Sequence, residues 1–207
     1  MKILVVAATP TELNAIKKWI KSANILSSID ISFLCLWVWN YETIFSLERY
    51  IKICTDPVFI LNIWICGYWN TNWIIKNQPV QASSVINIHT LKERICPPFL
   101  RLSPLGTFIS SECVVTSLPD FLSGGWLSCD EYYFDMESWW VSLISSKHKF
   151  PYLILKFPFD FIGSNSVHLL DESNKVKTIN AVSEMLNSLP YYDYLIKILC
   201  WISELNI

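Results

Sequence analysis

Two kinds of segment alternate along most of this chain. Unbroken apolar runs rich in β-branched residues, such as KILVVAA at 2–8, are typical of strands that are buried on both faces. Segments in which apolar residues recur every three or four positions, such as Leu13, Ile16 and Ile20, predict helices. Further strands are predicted at 29–39, 57–65, 81–89, 106–117 and 151–159. Further helices are predicted at 41–53, at 118–127, at 136–148 and in one or two segments after 171.

Strands that alternate with helices predict an α/β fold, a three-layer αβα sandwich with a mixed, largely parallel central sheet. The chain has 207 residues and shows no internal repeat, low-complexity tract or linker, so we expect a single domain over 1–207. The proline-containing segment 90–104 is expected to be irregular. In sheets of this kind ligands bind at the carboxyl ends of the strands, which is where we look for chemistry.

Composition narrows the classes of function. Hydrophobic residues make up 52% of the chain and charged residues 16%, and the net charge of −2 argues against a nucleic-acid partner. The longest uncharged stretch, 57–75, is interrupted by asparagines and a glycine, which argues against a membrane span. Seven cysteines without a Cys-x-x-Cys pair predict reduced thiols and a cytoplasmic protein. The three histidines are isolated, so no metal site is expected.

Four acidic residues fall near predicted strand ends and helix starts. Glu12 follows the first strand, Asp135 and Glu137 lie at the start of the predicted helix 136–148, and Asp160 follows the strand at 151–159. Each has a structural interpretation, because acids are favoured in the first turn of a helix and Asp135 is a natural N-cap for a helix that begins at Met136. The structural interpretation is the prediction for Asp135, whereas for Glu12, Glu137 and Asp160 a catalytic role at one rim of the sheet stays open as the alternative.

Five segments, taken in order, carry a resemblance to a known family. They are MKILVVAATPTEL, NIWICGYW, GTFISSECVV, DMESWW and LKFPFDF. This ordered set resembles the nucleoside phosphorylase superfamily, especially its hydrolytic branch of methylthioadenosine/adenosylhomocysteine nucleosidases and futalosine hydrolases. The resemblance implies a nucleoside phosphorylase-like fold, a homodimer, a purine nucleoside as small-molecule ligand and no cofactor.

The resemblance also implies a role for each site residue. Glu12 would be the general base that activates water, and Asp160 would protonate the departing purine at N7. Glu137 would accept hydrogen bonds from the ribose hydroxyls. The residues that the resemblance places against the substrate are Gly67, Val114, Val115, Met136 and Glu137. An inverting glycosidase likewise needs an acid on the leaving group and a base that holds water on the opposite face.

The segment after the first strand bears on the choice between water and phosphate. Phosphorylases of this superfamily carry a phosphate-binding loop there, whereas this chain has Ala8-Thr9-Pro10-Thr11-Glu12, and an acid at that position repels a phosphate dianion. We therefore expect hydrolysis.

Three functions follow from the resemblance. The stretches LVVAATPTEL and CGYW are closer to futalosine hydrolases of menaquinone biosynthesis, acting on futalosine or its 6-amino form. A methylthioadenosine/adenosylhomocysteine nucleosidase is the alternative. A non-catalytic nucleoside-binding homologue is a further alternative, because Lys156 stands where the family has Arg and Phe159 where it has Ser.

Overall fold

A computed structural model of the chain describes residues 2–22, 29–36, 40–54, 56, 58–70, 78–97, 104–112, 115, 119, 122, 131–162, 180 and 189–204. The helices of these ranges are α1 (Pro10–Ser22), α2 (Asn40–Ile53), α3 (Ser138–Lys147) and α4 (Leu189–Glu204). The strands are β1 (Lys2–Ala7), β2 (Ile31–Cys35), β3 (Val58–Asn70), β4 (Val80–Asn87), β5 (Glu93–Ile95), β6 (Leu105–Ser110), β7 (Glu131–Asp135) and β8 (Tyr152–Phe161).

All eight strands belong to one mixed sheet. β1 lies between β2 and β3 and is parallel to both, and β8 is parallel to β3. β6 is parallel to β4 and β7, whereas the pairs β3–β7, β4–β8 and β4–β5 are antiparallel. Because β8 pairs with both β3 and β4, the strands β3, β7, β6, β4 and β8 close into a ring. The predicted α/β fold with a mixed central sheet is confirmed, but the sheet is barrel-like, which the prediction of a largely parallel, three-layer arrangement did not include.

Helices cover two different clusters of buried side chains. α1 and α4 contribute Ile16 and Ile198 to a cluster that also contains Val5 of β1. α2 and α3 contribute Leu47 and other residues to a second cluster, which contains Val6 of β1. Neighbouring residues of a strand point to opposite faces, so β1 is buried on both sides, as its continuous apolar run predicted.

The third strand is longer than its apolar run indicated. β3 continues past Cys66 and Gly67 to Asn70, and the register with β8 shifts between Cys66 and Gly67. At this level Gly67 pairs with Phe134 of β7 on one side and with Asp160 of β8 on the other. The end of β3 therefore joins two strands that carry predicted site residues.

Two strands were not predicted from the sequence. β7 was missed because its aromatic residues are buried in different clusters, Tyr133 in the second and Phe134 in a third, so the segment does not alternate between apolar and polar. β5 is a three-residue strand inside the segment predicted to be irregular. α3 begins at Ser138 and not at Met136, and the predicted helix at 118–127 falls almost wholly outside the described residues.

Two further expectations concern the cysteines and the membrane. The described cysteines at 35, 54, 66, 96 and 200 are free thiols, and Cys113 and Cys129 lie outside the described residues. None of the helices in the described ranges is long and apolar enough to cross a membrane.

Candidate active site

A buried lysine lies at the centre of the acidic residues. Lys156 occupies the middle of β8, and its side chain is 0% exposed. Its Nζ donates to Glu137 Oε1 and lies 3.1 Å from Asp135 Oδ2. Burial alone would lower the pKa of Lys156, but the negative charges of Glu137 and Asp135 outweigh that effect and raise it. The lysine is therefore charged and shared between two carboxylates.

Asp135 ends β7 and also holds the start of α3. Its Oδ1 accepts a hydrogen bond from the backbone N of Ser138 at 3.3 Å, and its Oδ2 accepts one from the Ser138 hydroxyl. The N-cap position itself belongs to Glu137, which makes no side-chain capping bond. The prediction that Asp135 caps a helix from Met136 was thus wrong in register, although Asp135 does satisfy an N–H group of the first turn.

Glu137 is enclosed in the same cluster. The residue is 5% exposed, and its second carboxylate oxygen, Oε2, accepts from the backbone N of Met136 at 3.2 Å. Burial raises the pKa of Glu137, the positive charge of Lys156 opposes the rise and the negative charge of Asp135 adds to it. A carboxylate in this setting is held in one orientation by the contacts on both of its oxygens.

Glu12 lies in the first turn of α1, near enough to this cluster for the charges of Glu137 and Lys156 to act on it. Thr9 and Glu12 form a capping box, in which Glu12 Oε2 accepts from Thr9 N at 2.8 Å and Thr9 Oγ1 accepts from Glu12 N at 3.3 Å. Burial raises the pKa of Glu12 to about 8, and the negative charge of Glu137 adds to this rise. The helix-start interpretation of Glu12 is therefore correct, but it does not exclude a catalytic role, because a general base works best with a pKa near the working pH.

The topology explains why residues so distant in sequence meet. β1, β3 and β8 are parallel, so the loop after β1 and the end of β8 lie at the same edge of the sheet. β7 runs the other way but pairs with the far end of β3, which brings its last residue, Asp135, to the level of Cys66. The predicted rim of acids is therefore present for Glu12, Asp135 and Glu137.

The predicted acid Asp160 is described only through its backbone. It lies on β8 four residues after Lys156 and pairs with Gly67 of β3. Its side chain lies outside the described part of the chain, as does the whole of Val114. The backbone position places Asp160 at the same edge of the sheet as the carboxylate cluster.

Gly67 and Val115 both border a third group of apolar side chains. A Cβ atom on Gly67 would lie 2.6 Å from Ile162 Cδ1 and 3.5 Å from Phe134 Cβ. Val115 packs against the same cluster, which contains Ile162 and Phe134. Close packing thus accounts for the glycine, and two of the residues expected to contact substrate share one apolar environment next to Asp160.

Lys156 is the site residue whose importance the sequence analysis missed. In the sequence it is only a replacement for Arg, whereas in the structure it is the cation that two carboxylates share. The available signal was a single charge within the apolar run YLILKFPF, because a buried charge requires a partner.

Two other features of the described ranges bear on ligands. In those ranges no cluster of His, Cys, Asp and Glu could hold a metal ion. A small cavity lies between α1, α4 and the sheet, and apolar side chains line it: Val5, Ile16, Trp19, Ile20, Leu61, Ile63, Trp64, Phe157 and Leu199. Phe157 points to the face of β8 opposite Lys156, so we regard this cavity as a packing void rather than a binding site.

Comparison with solved structures shows the same architecture over nearly the whole chain. An MTA/SAH nucleosidase matches with a TM-score of 0.74 at 15% identity, covering 99% of this chain and 96% of the other. A putative 5'-methylthioadenosine/S-adenosylhomocysteine nucleosidase from Borrelia burgdorferi, bound to adenine, matches with a TM-score of 0.70 at 13% identity, covering 97% and 99%. A variant of MTAN from Chlamydia trachomatis, bound to MTA, matches with a TM-score of 0.61 at 17% identity, covering 94% and 98%.

No protein-family model and no curated protein matches the sequence. The structural matches confirm the predicted resemblance at the level of the fold. The chain therefore has the fold of the MTA/SAH nucleosidases.

Proposed function

We propose that the protein is a purine nucleoside N-ribosyl hydrolase. The observation that carries this proposal is the buried Glu137–Lys156–Asp135 cluster, with Glu12 close enough for the charges of Glu137 and Lys156 to act on it. Burying the carboxylates of Asp135 and Glu137 with one lysine costs folding energy, and such clusters of perturbed acids are typical of active sites. Structural neighbours that hold adenine and MTA support a purine nucleoside as the ligand.

The reaction breaks the bond between ribose C1' and the purine nitrogen, and the electron pair of this bond leaves with the base. Asp160 donates a proton to purine N7, and the ionised form of Glu12 takes a proton from the water that attacks C1'. Glu12 can do this because its Oε2 is engaged by Thr9 N, which leaves Oε1 for the water. Glu137 accepts hydrogen bonds from the ribose hydroxyls and stabilises the positive charge that develops on the sugar.

Water rather than phosphate is the nucleophile in this proposal. The carboxylates of Asp135 and Glu137 outnumber the one lysine that they share, so the described cluster is net negative even while Glu12 is protonated, and a phosphate dianion is repelled. The replacement of Arg by Lys156 does not argue for a non-catalytic homologue, since the lysine still supplies the buried cation.

The substrate is the finer part of the proposal. MTA or S-adenosylhomocysteine is the first candidate, because the structural neighbours are nucleosidases for these compounds and one of them holds MTA. Futalosine or its 6-amino form is the second candidate, favoured by the sequence stretches LVVAATPTEL and CGYW.

A substrate panel separates these candidates. Purine release is measured from MTA, S-adenosylhomocysteine, futalosine and aminofutalosine, each with and without phosphate. We expect purine release without phosphate. The kcat/KM should be highest either for MTA and S-adenosylhomocysteine or for futalosine and aminofutalosine. Release that requires phosphate would make the protein a phosphorylase, and binding of MTA or futalosine without any release would make it a non-catalytic homologue.

A homodimer, implied by the family resemblance, stays a prediction. The exposed apolar residues of the described ranges include Phe45, Ile53, Ile95 and Leu105. Sedimentation of the full chain would measure its mass in solution, and a monomer at micromolar concentration would contradict the expectation.

A further inference from the structure

Asp135 shares Lys156 with Glu137, and the mechanism above gives Asp135 no part. Its side chain is 2% exposed and its Oδ2 lies 3.1 Å from Lys156 Nζ. The same carboxylate binds both the backbone N and the hydroxyl of Ser138. The Asp135 carboxylate is thus held by the first residue of α3 and contacts the Lys156 ammonium.

A lysine needs such a second anchor more than an arginine does. The ammonium group sits on a flexible four-carbon stem, whereas a planar guanidinium can fix a carboxylate through two parallel hydrogen bonds. In this chain the Lys156 ammonium is held between Glu137 Oε1 and Asp135 Oδ2. The contacts therefore form a chain from Ser138 through Asp135 and Lys156 to Glu137.

We propose that Asp135 is a positioning residue, which orients Glu137 through Lys156 and so controls how tightly the ribose of a nucleoside is bound. This inference rests on the proposed function, in which Glu137 contacts the ribose hydroxyls. Asp135 itself touches neither ribose nor base. The base lies on the other part of the site, near Gly67, Val115 and Asp160, so its binding does not depend on Asp135.

A purely structural role for Asp135 makes a different prediction. If Asp135 only held Ser138 at the start of α3, its loss would cost about 1 kcal/mol of stability and would affect every ligand of the site alike. A positioning role predicts selective loss, because only ligands that carry a ribose use Glu137.

The test is a comparison of two ligands by titration calorimetry. MTA, which contains ribose, and free adenine, which does not, are titrated into protein that carries Glu12→Gln to prevent turnover. Asp135→Asn is expected to weaken MTA binding roughly 10-fold, the scale of one hydrogen bond to a charged group, and to leave adenine binding unchanged. Asp135→Glu keeps the charge and is expected to restore most of the MTA affinity.

The matched control is Glu131→Gln on the same strand. Glu131 accepts a hydrogen bond from the Tyr133 hydroxyl at 3.1 Å and does not contact Lys156, so both affinities should stay as they are. If Asp135→Asn does not fold, the same two titrations are made with Ser138→Ala. This substitution removes the hydroxyl bond to Asp135 and keeps the charges of Asp135 and Lys156.

The outcomes separate the inference from the proposed function. The positioning role would be overturned if Asp135→Asn, or Ser138→Ala in its place, lowered the affinities for MTA and adenine equally. It would also be overturned if neither affinity changed. Protein with Glu12→Gln alone that binds neither MTA nor any other purine nucleoside would overturn the proposed function, and the inference with it.

Discussion

Glu12 combines a structural and a chemical task in one carboxylate. One of its oxygens closes the capping box with Thr9, and the negative charge of Glu137 acts on the group as a whole. A carboxyl group with a pKa of about 8 holds its proton in the folded protein at neutral pH, whereas in the unfolded chain it is ionised there. Folding therefore becomes less favourable as the pH rises, and the site retains this cost.

Glu12→Gln is expected to stabilise the protein at high pH. The stability that depends on the neutral acid is fully present below about pH 4.5 and is lost as the pH rises to about 8, whereas glutamine stays neutral. At pH 9 the variant should be more stable than wild type by at least about 1 kcal/mol, or about 2–4 °C in Tm, and at pH 5 the gap should nearly close. Thermal unfolding at both pH values measures this.

The control for this experiment is Glu42→Gln. Glu42 is an exposed acid in the first turn of α2, so its substitution should give the same small difference from wild type at pH 5 and pH 9. A Glu12→Gln protein whose gain did not grow between these pH values would contradict the assigned environment of Glu12.

Gly67 makes a second prediction at the scale of one residue. Gly67→Ala should destabilise the protein by about 1–3 kcal/mol, because the new Cβ would lie 2.6 Å from Ile162 Cδ1. Ile162→Val removes that Cδ1 atom, so the double variant should recover part of the loss. Urea unfolding of the two single variants and the double variant measures the coupling, and strictly additive effects would contradict this packing account.

Residue types alone located the acids of the site but not their connections. Glu12 and Glu137 stand out in the sequence because each falls at a predicted element boundary. The lysine that unites Glu137 with Asp135 stands out only as a single charge in an apolar run, and that signal does not identify its partners. Only the pairing of β8 between β3 and β4 shows that Lys156 is fully enclosed.

At the scale of elements, α2 and α3 are joined by charges as well as by apolar packing. Glu48 of α2 lies 2.6 Å from Lys147 Nζ and 3.1 Å from His148 Nε2, both at the end of α3. The hydrogen bond from Lys147 and the contact with His148 lower the pKa of Glu48. A lowered acid pKa contributes stability above the unfolded value of about 4.5, and this contribution is lost as the pH falls through the folded value.

Glu48→Gln should therefore destabilise the protein at pH 7 and have little effect at pH 3. The expected loss at pH 7 is at most about 1 kcal/mol, because Lys147 is 61% exposed and water screens the pair. Urea unfolding at the two pH values gives the difference. A loss of equal size at pH 3 would show that packing of the side chain, and not its charge, joins the two helices.

Elements with a strong periodic pattern were predicted closely, and those defined by long-range pairing were not. The periodic residues Leu13, Ile16 and Ile20 lie in α1, Pro10–Ser22, and the helix predicted at 41–53 is α2, Asn40–Ile53. β7 and the last residues of β3 form because they pair with each other as neighbouring strands of the ring. No local pattern in either segment indicates this pairing. The closure of the sheet is a tertiary property for the same reason.

At the scale of the whole molecule, the ring of strands accounts for the convergence of the site. In an open parallel sheet all strands run the same way, so only their carboxyl ends would lie at this rim. Here β7 arrives from the opposite direction, and it supplies Asp135 and the entry to α3, where Glu137 lies. The match to nucleosidases over 90% or more of the chain extends to this arrangement of elements and not only to a local motif.

The rate of adenine release from MTA in phosphate-free buffer tests the central claim most directly, with wild type and Glu12→Gln measured side by side. We predict that wild type releases adenine and that Glu12→Gln lowers kcat by about 10²–10⁴, the usual contribution of one proton transfer. The variant should still bind free adenine as wild type does. A Glu12→Gln protein that released adenine at the wild-type rate would contradict the account.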